Sequence, residues 1–421
     1  MISVTDIRQA HFESISVDSF WSAGDERELK MHRIHAYPAK FPAFITTKAL
    51  DFAKHHGIGT ECIADIFCGC GTVAFEAKRN SINFWGCDIS PVATMIAKTK
   101  SRKYTSTKLT TYYAKILDAY DELEESDGYS TANDRIKYWY SQTQFEKLAR
   151  LKKAIEGTVP LESSYRLFFT CAFSNILKTT SRWLTKSIKP QIDPNKKPIE
   201  PLDAFRLQYD FMVSANEEID FTGSSRITIV TANLLSPFLR PPKVDMIISS
   251  PPYVTSYEYA DLHQLSSLWL GYTNNYRDLR VGSIGSLYHT YNFDRELKRL
   301  NDTGTSVVFR LFVKDKSIAR SVAKYFLDMQ GVVKVCQNML SDDGMVLFII
   351  GNTEYKGVRI DNVRHLSESL LNNGFHNVLV TKRKVTGKIL TPYRDELGRF
   401  TTDDNSRKVY GEEFIVIGRK K

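Results

Sequence analysis

The chain has no apolar run long enough to cross a bilayer, and its N-terminus lacks a positively charged segment followed by an apolar core. Both absences argue against a membrane span or a secretory leader, so the expectation is a soluble protein of the cytoplasm. Cysteine is scarce: Cys62, Cys68, Cys70, Cys87, Cys171 and Cys336 form no paired Cys-x-x-Cys pattern. That excludes a zinc ribbon and a disulfide framework, and predicts free thiols and no structural metal. His32, His35, His55 and His56 fall close together, but no second ligand group stands at metal-site spacing, and they read as surface or packing residues. Acidic residues are the minority charge, 48 against 57 Lys and Arg, for a net charge of +9. A basic balance with a pI near 9.0 fits a nucleic-acid partner.

Two short stretches carry the chemistry. Residues 62–67 are an apolar run that suits a strand buried on both faces, and Gly69 and Gly71 then permit a tight turn into a helix over 72–78. A strand, a glycine turn and a helix start bring backbone N–H groups and a positive dipole end close to a cofactor. Gly-x-Gly alone also closes ordinary turns. The continuation adds weight: residues 83–87 read as a second strand closed by Asp88, about 20 residues after the glycines, where a carboxylate accepts hydrogen bonds from ribose hydroxyls. Asp88 also suits a helix cap ahead of Ser90 and Pro91. Dinucleotides and S-adenosylmethionine both satisfy this pattern.

The second stretch separates them. Residues 244–248 form a third buried-strand candidate, and it runs into Ser249, Ser250, Pro251, Pro252 and Tyr253. Two consecutive prolines cannot continue a central strand, and they stiffen the chain that follows. An exocyclic base amine is a poor nucleophile because its lone pair is conjugated with the ring. A serine hydroxyl and a proline carbonyl accepting its N–H bonds favour a pyramidal nitrogen, and an adjacent tyrosine stacks on the base. The competing reading is a rigid turn with a packed aromatic.

DIFCGCGT, GCDISP and SSPPY together resemble the cofactor, ribose-binding and catalytic motifs of the amino-group DNA methyltransferases, which act on cytosine N4 or adenine N6. HAYPAKFP, residues 35–42, is similar to the family's further cofactor motif at the methionine end. The resemblance implies an α/β, Rossmann-like class I methyltransferase fold: a three-layer, mostly parallel sheet with an antiparallel C-terminal strand and a largely helical insertion. It implies S-adenosylmethionine bound by Tyr37, Pro38, Ala39, Lys40, Phe41, Asp65, Phe67, Cys68, Gly69, Gly71, Thr72, Asp88 and Ile89, with Asn233 and Leu234 near the adenine. Ser250, Pro251, Pro252 and Tyr253 would carry catalysis. Serine in place of aspartate in the catalytic motif points to cytosine N4. None of the six cysteines follows a proline, which counts against carbon-5 methylation through a cysteine nucleophile. Adenine N6, an RNA base amine, and a catalytically silent DNA-binding subunit are the alternatives, although no RNA-binding module is recognisable.

Further strands are expected over 226–231, 344–351, 378–381 and 413–417, with a helix over 362–373. A catalytic unit of this type needs roughly 250 residues, so there is room for one more unit. The expected division is 1–100 and 226–421 for the catalytic domain and 101–225 for an inserted, mainly helical target-recognition region. Within the insertion, helices are read over 112–123, 143–156 and 161–177. Lys178, Arg182, Lys186, Lys189, Lys196 and Lys197 crowd a stretch whose sole acid is Asp193, with Trp183 available to stack or wedge. Such a stretch neutralises phosphates, or is a solvated loop on a basic protein. Lys382, Arg383 and Lys384 form a second basic stretch, leading into 389–400, for double-stranded DNA or for a charged sheet edge. A cognate restriction endonuclease, encoded separately, is the further partner that the resemblance implies.

Overall fold

A computed structural model describes residues 1–22, 27–38, 40, 42–124, 128–254, 258–286, 288, 290–385, 393–394, 400–401, 407–408 and 412–420. Its frame is an eight-stranded sheet built, in chain order, from β1 (Ile2–Val4), β2 (Cys62–Asp65), β3 (Asn83–Asp88), β4 (Ile227–Thr231), β5 (Val244–Ser249), β6 (Leu340–Ile350), β7 (His376–Lys384) and β8 (Glu412–Arg419). Across the sheet the order is β1-β7-β8-β6-β5-β2-β3-β4. Strands β2 to β6 pair in parallel. β8 is antiparallel to β6 and β7, and β1 is antiparallel to β7. From β2 the chain winds outward through β3 to β4, then returns to the other side of β2 as β5. That reversal opens a crevice at the carboxyl ends of β2 and β5, where ligands bind in such sheets.

Alternation along the strands makes three layers. Ile63, Met246, Ile248, Met345, Leu347 and Ile349 pack on one face, with Ile45, Ala49 and Phe52 of α1 (Ala43–His55) and Val73, Ala74 and Ala77 of α2 (Thr72–Arg79). Ala64, Ile247, Val346 and Phe348 turn to the other face. Two helices that the sequence reading does not place cover it: Asp302–Lys314 and Lys316–Met339, capped by Asn301 and Asp315. Asn362–Asn372 completes that layer.

The inserted segment is helical as expected, with α3 (Pro91–Lys100) leading into it. It comprises α4 (Ser106–Glu122), α5 (Asp134–Trp139), α6 (Gln142–Thr158), α7 (Ser164–Ile176) and α8 (Pro201–Glu217). The last, opened by a proline at its first turn, was not foreseen. Phe168, Phe169, Trp139, Phe205 and Met212 form a core that continues into Cys70 and Phe75 at α2 and Met95 and Ile96 of α3. The insertion therefore shares its apolar interior with the helices that flank the glycine turn. No helix of the described residues is long and apolar enough to cross a membrane.

Candidate active site

β2 ends at Asp65, two residues short of the expected strand, and the chain turns through Gly69 (φ +45°) and Gly71 (φ +78°) into α2. Gly71 is required twice. Its φ lies in the left-handed region, and a Cβ there would stand 2.5 Å from the Ala97 Cβ and 2.7 Å from the Ala97 Cα. Glycine therefore lets α2 and α3 approach while its N–H, bonded to the Cys68 carbonyl at 2.7 Å, closes the turn.

Asp88 ends β3 opposite this turn. It accepts from the Gly69 N–H (2.9 Å) and the Ser90 N–H (2.8 Å), while Ser90 caps α3. The cap reading and the ligand reading are thus compatible: the cap is Ser90, and a carboxylate with about four acceptor positions keeps capacity after two backbone bonds. Burial pushes the Asp88 carboxyl up, and these two N–H bonds pull it back. Asp65 is more deeply buried. It accepts from the Ser249 hydroxyl at 2.6 Å and the Phe67 N–H at 3.1 Å, and burial above all pushes its pKa up to about 7. Ser249 and Asp65 tie the glycine turn to the Ser-Ser-Pro-Pro-Tyr stretch across the β2–β5 seam, a link that the spacing of the motifs does not reveal.

Tyr37 lies over the turn, its hydroxyl 3.3 Å from where a Gly69 Cβ would stand, and burial followed by the Asp88 charge raises its pKa. Pro38 is half-buried beside it, and Ala39 and Phe41 lie outside the described residues. Lys40 donates to Glu28 (2.5 Å) and to the His32 carbonyl (3.1 Å), so it anchors the segment. The insertion grips the same segment. Asn175 accepts from the Ala36 N–H, Gln208 donates to the Ile34 carbonyl, and His35 Nε2 meets the Ser174 hydroxyl at 2.9 Å. His35 is thus a packing residue, as expected, and His32 likewise meets Glu76 in the interior.

On the far side of Asp88, Ile89 and Asn233 converge on Gly282: Asn233 donates to its carbonyl at 3.2 Å, and a Gly282 Cβ would lie 3.4 Å from Ile89 Cδ1. Leu234, expected beside the cofactor, points instead into the main core, because the turn after β4 sends it beneath the sheet. Phe67 is half-buried against that core, whereas Cys68 is buried, its thiol pushed well up by burial.

After β5 the Ser-Pro-Pro-Tyr stretch, residues 250–253, leaves the sheet. The Ser250 hydroxyl donates to the Ile349 carbonyl of β6 at 3.1 Å, Pro251 is buried, and Pro252 is half-buried. Tyr253 is half-buried, and its hydroxyl donates to Glu413 Oε1 at 3.2 Å. Burial, then the Glu413 charge, holds its pKa well above the ordinary phenol value. Two short helices follow, α9 (Tyr259–Leu262) and α10 (Gln264–Trp269). Tyr259 stacks on Tyr37 at 6.3 Å, and His263 lies against Tyr37 at 5.1 Å. Both ring nitrogens of the buried His263 lack a hydrogen-bond partner among the described residues. Burial lowers its pKa to about 3. In the sequence His263 carries no signal, because it is one histidine without partners at a ligand or catalytic spacing.

The expected DNA-binding residues divide. Lys186, Lys189 and Lys197 are exposed, and Lys384 is exposed at the end of β7. Trp183 is 2% exposed, stacked on Trp139 at 4.9 Å, and is not available to stack on a base. Lys178 and Lys196 wrap this tryptophan, donating to the Ser187 carbonyl and to the Lys178 and Trp183 carbonyls. Arg182 is exposed but bonded to the Tyr138 carbonyl at 2.6 Å. Three cations of the stretch, Lys178, Arg182 and Lys196, together with Trp183 thus hold it in its own fold and against the neighbouring α5. Lys382 and Arg383 are corrected too, since they lie inside β7 at 8% and 4% exposure, Lys382 reaching the Glu13 carbonyl and Arg383 gripping Glu413. Most of 389–400 lies outside the described residues.

The strand order, the crevice at the switch between β2 and β5, the glycine turn and the acidic end of β3 define a class I methyltransferase fold, and its cofactor is S-adenosylmethionine. The residues present fit that group: Thr72 Oγ1, at the start of α2 directly after the glycine turn, is buried with no protein partner among the described residues. The chain is similar to the Type II methyltransferase M.MvaI of Kocuria varians, at 21% identity over 85% of this chain and 84% of that one. It is also similar to the Type II methyltransferase M.MjaII of Methanocaldococcus jannaschii, at 29% identity over 34% of this chain and 28% of the relative. A solved rRNA methyltransferase, aviRa of Streptomyces viridochromogenes, aligns over 99% of this chain and 96% of its own at 10% identity, but with a TM-score of 0.30 that adds nothing to the argument. No family model matches.

Proposed function

We propose that the chain is a site-specific DNA methyltransferase acting on the exocyclic N4 amino group of cytosine in double-stranded DNA. The observation that carries this reading is the state of Ser250. By donating its only proton to the Ile349 carbonyl, the hydroxyl leaves its oxygen lone pairs as acceptors, at the carboxyl end of the strand next to the cofactor turn. An acceptor fixed in this way suits an amine N–H and not a group that must receive a proton.

Residues 67–72 and Asp88 would hold S-adenosylmethionine, which would supply an electrophilic methyl group. The protein does the rest by positioning. The target cytosine leaves the helix, because its amine is out of reach within a paired duplex. Ser250 Oγ and the Pro251 carbonyl accept the amine N–H bonds and draw the nitrogen lone pair out of conjugation. Tyr253 fixes the base plane, and Tyr37 covers the turn. Catalysis arises from orientation and preorganised dipoles without a covalent enzyme intermediate, and the proton leaves to water or a neighbouring oxygen. Serine at position 250, where related enzymes acting on adenine more often carry aspartate, favours cytosine; adenine N6 is the second reading and uses the same residues. The exposed Lys186, Lys189 and Lys197 on the insertion supply phosphate contacts. Protection of host DNA beside a separately encoded endonuclease fits this activity.

The test is Ser250→Ala. Cofactor affinity stays within about twofold, while single-turnover methylation of DNA falls by roughly two orders of magnitude, the range for losing one preorganised polar contact to a reacting group. A variant with the parent rate removes Ser250 from the mechanism.

A further inference from the structure

We propose that Arg383 and Glu413 are positioning residues that set the plane of Tyr253, and through it the seat of the target base; this rests on Tyr253 stacking against that base. Arg383 of β7 and Glu413 of β8 face each other directly in the antiparallel register. The guanidinium places Nε at 3.0 Å and one terminal nitrogen at 2.5 Å from Glu413 Oε2. The other carboxylate oxygen, Oε1, takes the Tyr253 hydroxyl at 3.2 Å. The two oxygens are thus divided between a clamp and a ring.

Energy argues that this pair is there for more than stability. The side chains are 5% and 17% exposed, so both charges are largely removed from water. A largely buried ion pair regains little of its desolvation cost, and apolar residues of similar volume serve a sheet interior as well or better. Along the same face the next facing pairs, Thr381 with the buried Ile415 and Leu379 with the buried Ile417, show what this part of the sheet otherwise uses. The polar pair stands where it reaches Tyr253, on strands more than 120 residues further along the chain. Arg383 also lies 5.7 Å from the Phe44 ring, at the start of the helix that follows HAYPAKFP. One guanidinium therefore touches the element after the cofactor-covering segment while holding the carboxylate that orients the stacking ring.

A tyrosine without this bond still offers a π face, but it loses the anchor that limits swing about χ1 and the in-plane O–H contact that biases χ2, so a base stacked on it loses alignment with the methyl donor. The expected signature is a fall in kcat with little change in cofactor affinity.

The experiment is a double-mutant cycle on the full chain between Tyr253→Phe and Glu413→Gln, with Tyr253→Ala and Arg383→Lys alongside. DNA methylation under single turnover, cofactor binding and thermal melting are measured for each. Tyr253→Phe and Glu413→Gln should each slow transfer roughly tenfold, the range for a hydrogen bond to a charged group, and the double variant should be no slower than the worse single. Arg383→Lys, which keeps the charge and loses the fork, should fall between parent and Glu413→Gln. If Tyr253→Ala abolishes transfer while Tyr253→Phe retains the parent rate, the positioning proposal is overturned and the stacking role stands. If Tyr253→Ala retains the parent rate, the stacking role itself is wrong and the proposal falls with it. Multiplying effects in the double variant, or a melting temperature that falls in step with rate, would assign the pair to stability alone and overturn it. Tyr253→Phe leaves both charges in place, so it decides the matter even if Glu413→Gln folds poorly.

Discussion

Asp65 should make the protein more stable as the pH falls from about 7 towards 4, the reverse of the usual behaviour of a paired carboxylate. Its folded pKa of about 7 stands above the ordinary value of 3.8 because burial outweighs the bonds from Ser249 and Phe67. Between those two values the folded chain holds a proton that the unfolded chain has released. Stability is then highest below the unfolded value and declines as pH rises through the folded one. A rise of roughly three units corresponds to about 4 kcal/mol between the extremes. Asp65→Asn mimics the protonated acid, keeping an oxygen for Ser249 and Phe67. Urea unfolding of the parent and of this variant from pH 4 to 8 isolates the effect, because all other carboxylates are common to both. The difference between them should widen in favour of the variant as pH rises and level off above about 8. Parallel curves would refute the reasoning and mean that Asp65 is ionised in the fold.

Gly71→Ala should cost about 2–5 kcal/mol by urea denaturation, combining a left-handed backbone with overpacking against Ala97, and should weaken cofactor binding further than it lowers stability. Trp183→Ala should destabilise by about 3–5 kcal/mol, because it empties the stack on Trp139, and a stability loss below about 1 kcal/mol would contradict that packing. The triple variant Lys186→Ala, Lys189→Ala and Lys197→Ala should leave the melting temperature unchanged. It should also weaken binding to every duplex alike and reduce the salt dependence of log K by up to about three, measured by titration at several ionic strengths.

What was legible in the sequence was whatever backbone chemistry enforces. Gly69 and Gly71 announce a left-handed turn, Pro251 and Pro252 announce the end of a central strand, and the apolar runs around them fix β2, β3 and β5 to within two residues. Direction was not legible. Composition shows six cations between residues 178 and 197 but not that Lys178 and Lys196 turn inward around Trp183. Likewise, the sequence KRK marks charge at 382–384, whereas β7 is covered on both faces at Lys382 and Arg383 and leaves only Lys384 exposed. Contacts closed by distant chain segments were the least visible. Ser249 meets Asp65 across 184 positions and Tyr253 meets Glu413 across 160, and neither pair has a local pattern. The two helices over 302–339 escaped because runs such as SVVFRLFV and VVKV mix β-branched and aromatic residues in a way that also suits strands; Asn301 and Asp315 decide for helix by capping.

Amine methylation of a DNA base is tested by incubating the protein with methyl-labelled S-adenosylmethionine and mixed-sequence duplex DNA, followed by nucleoside digestion and mass spectrometry. The account predicts label in N4-methylcytosine. Label in N6-methyladenine would keep the site and overturn the base; label in 5-methylcytosine, or in RNA alone when RNA is supplied, would contradict the account.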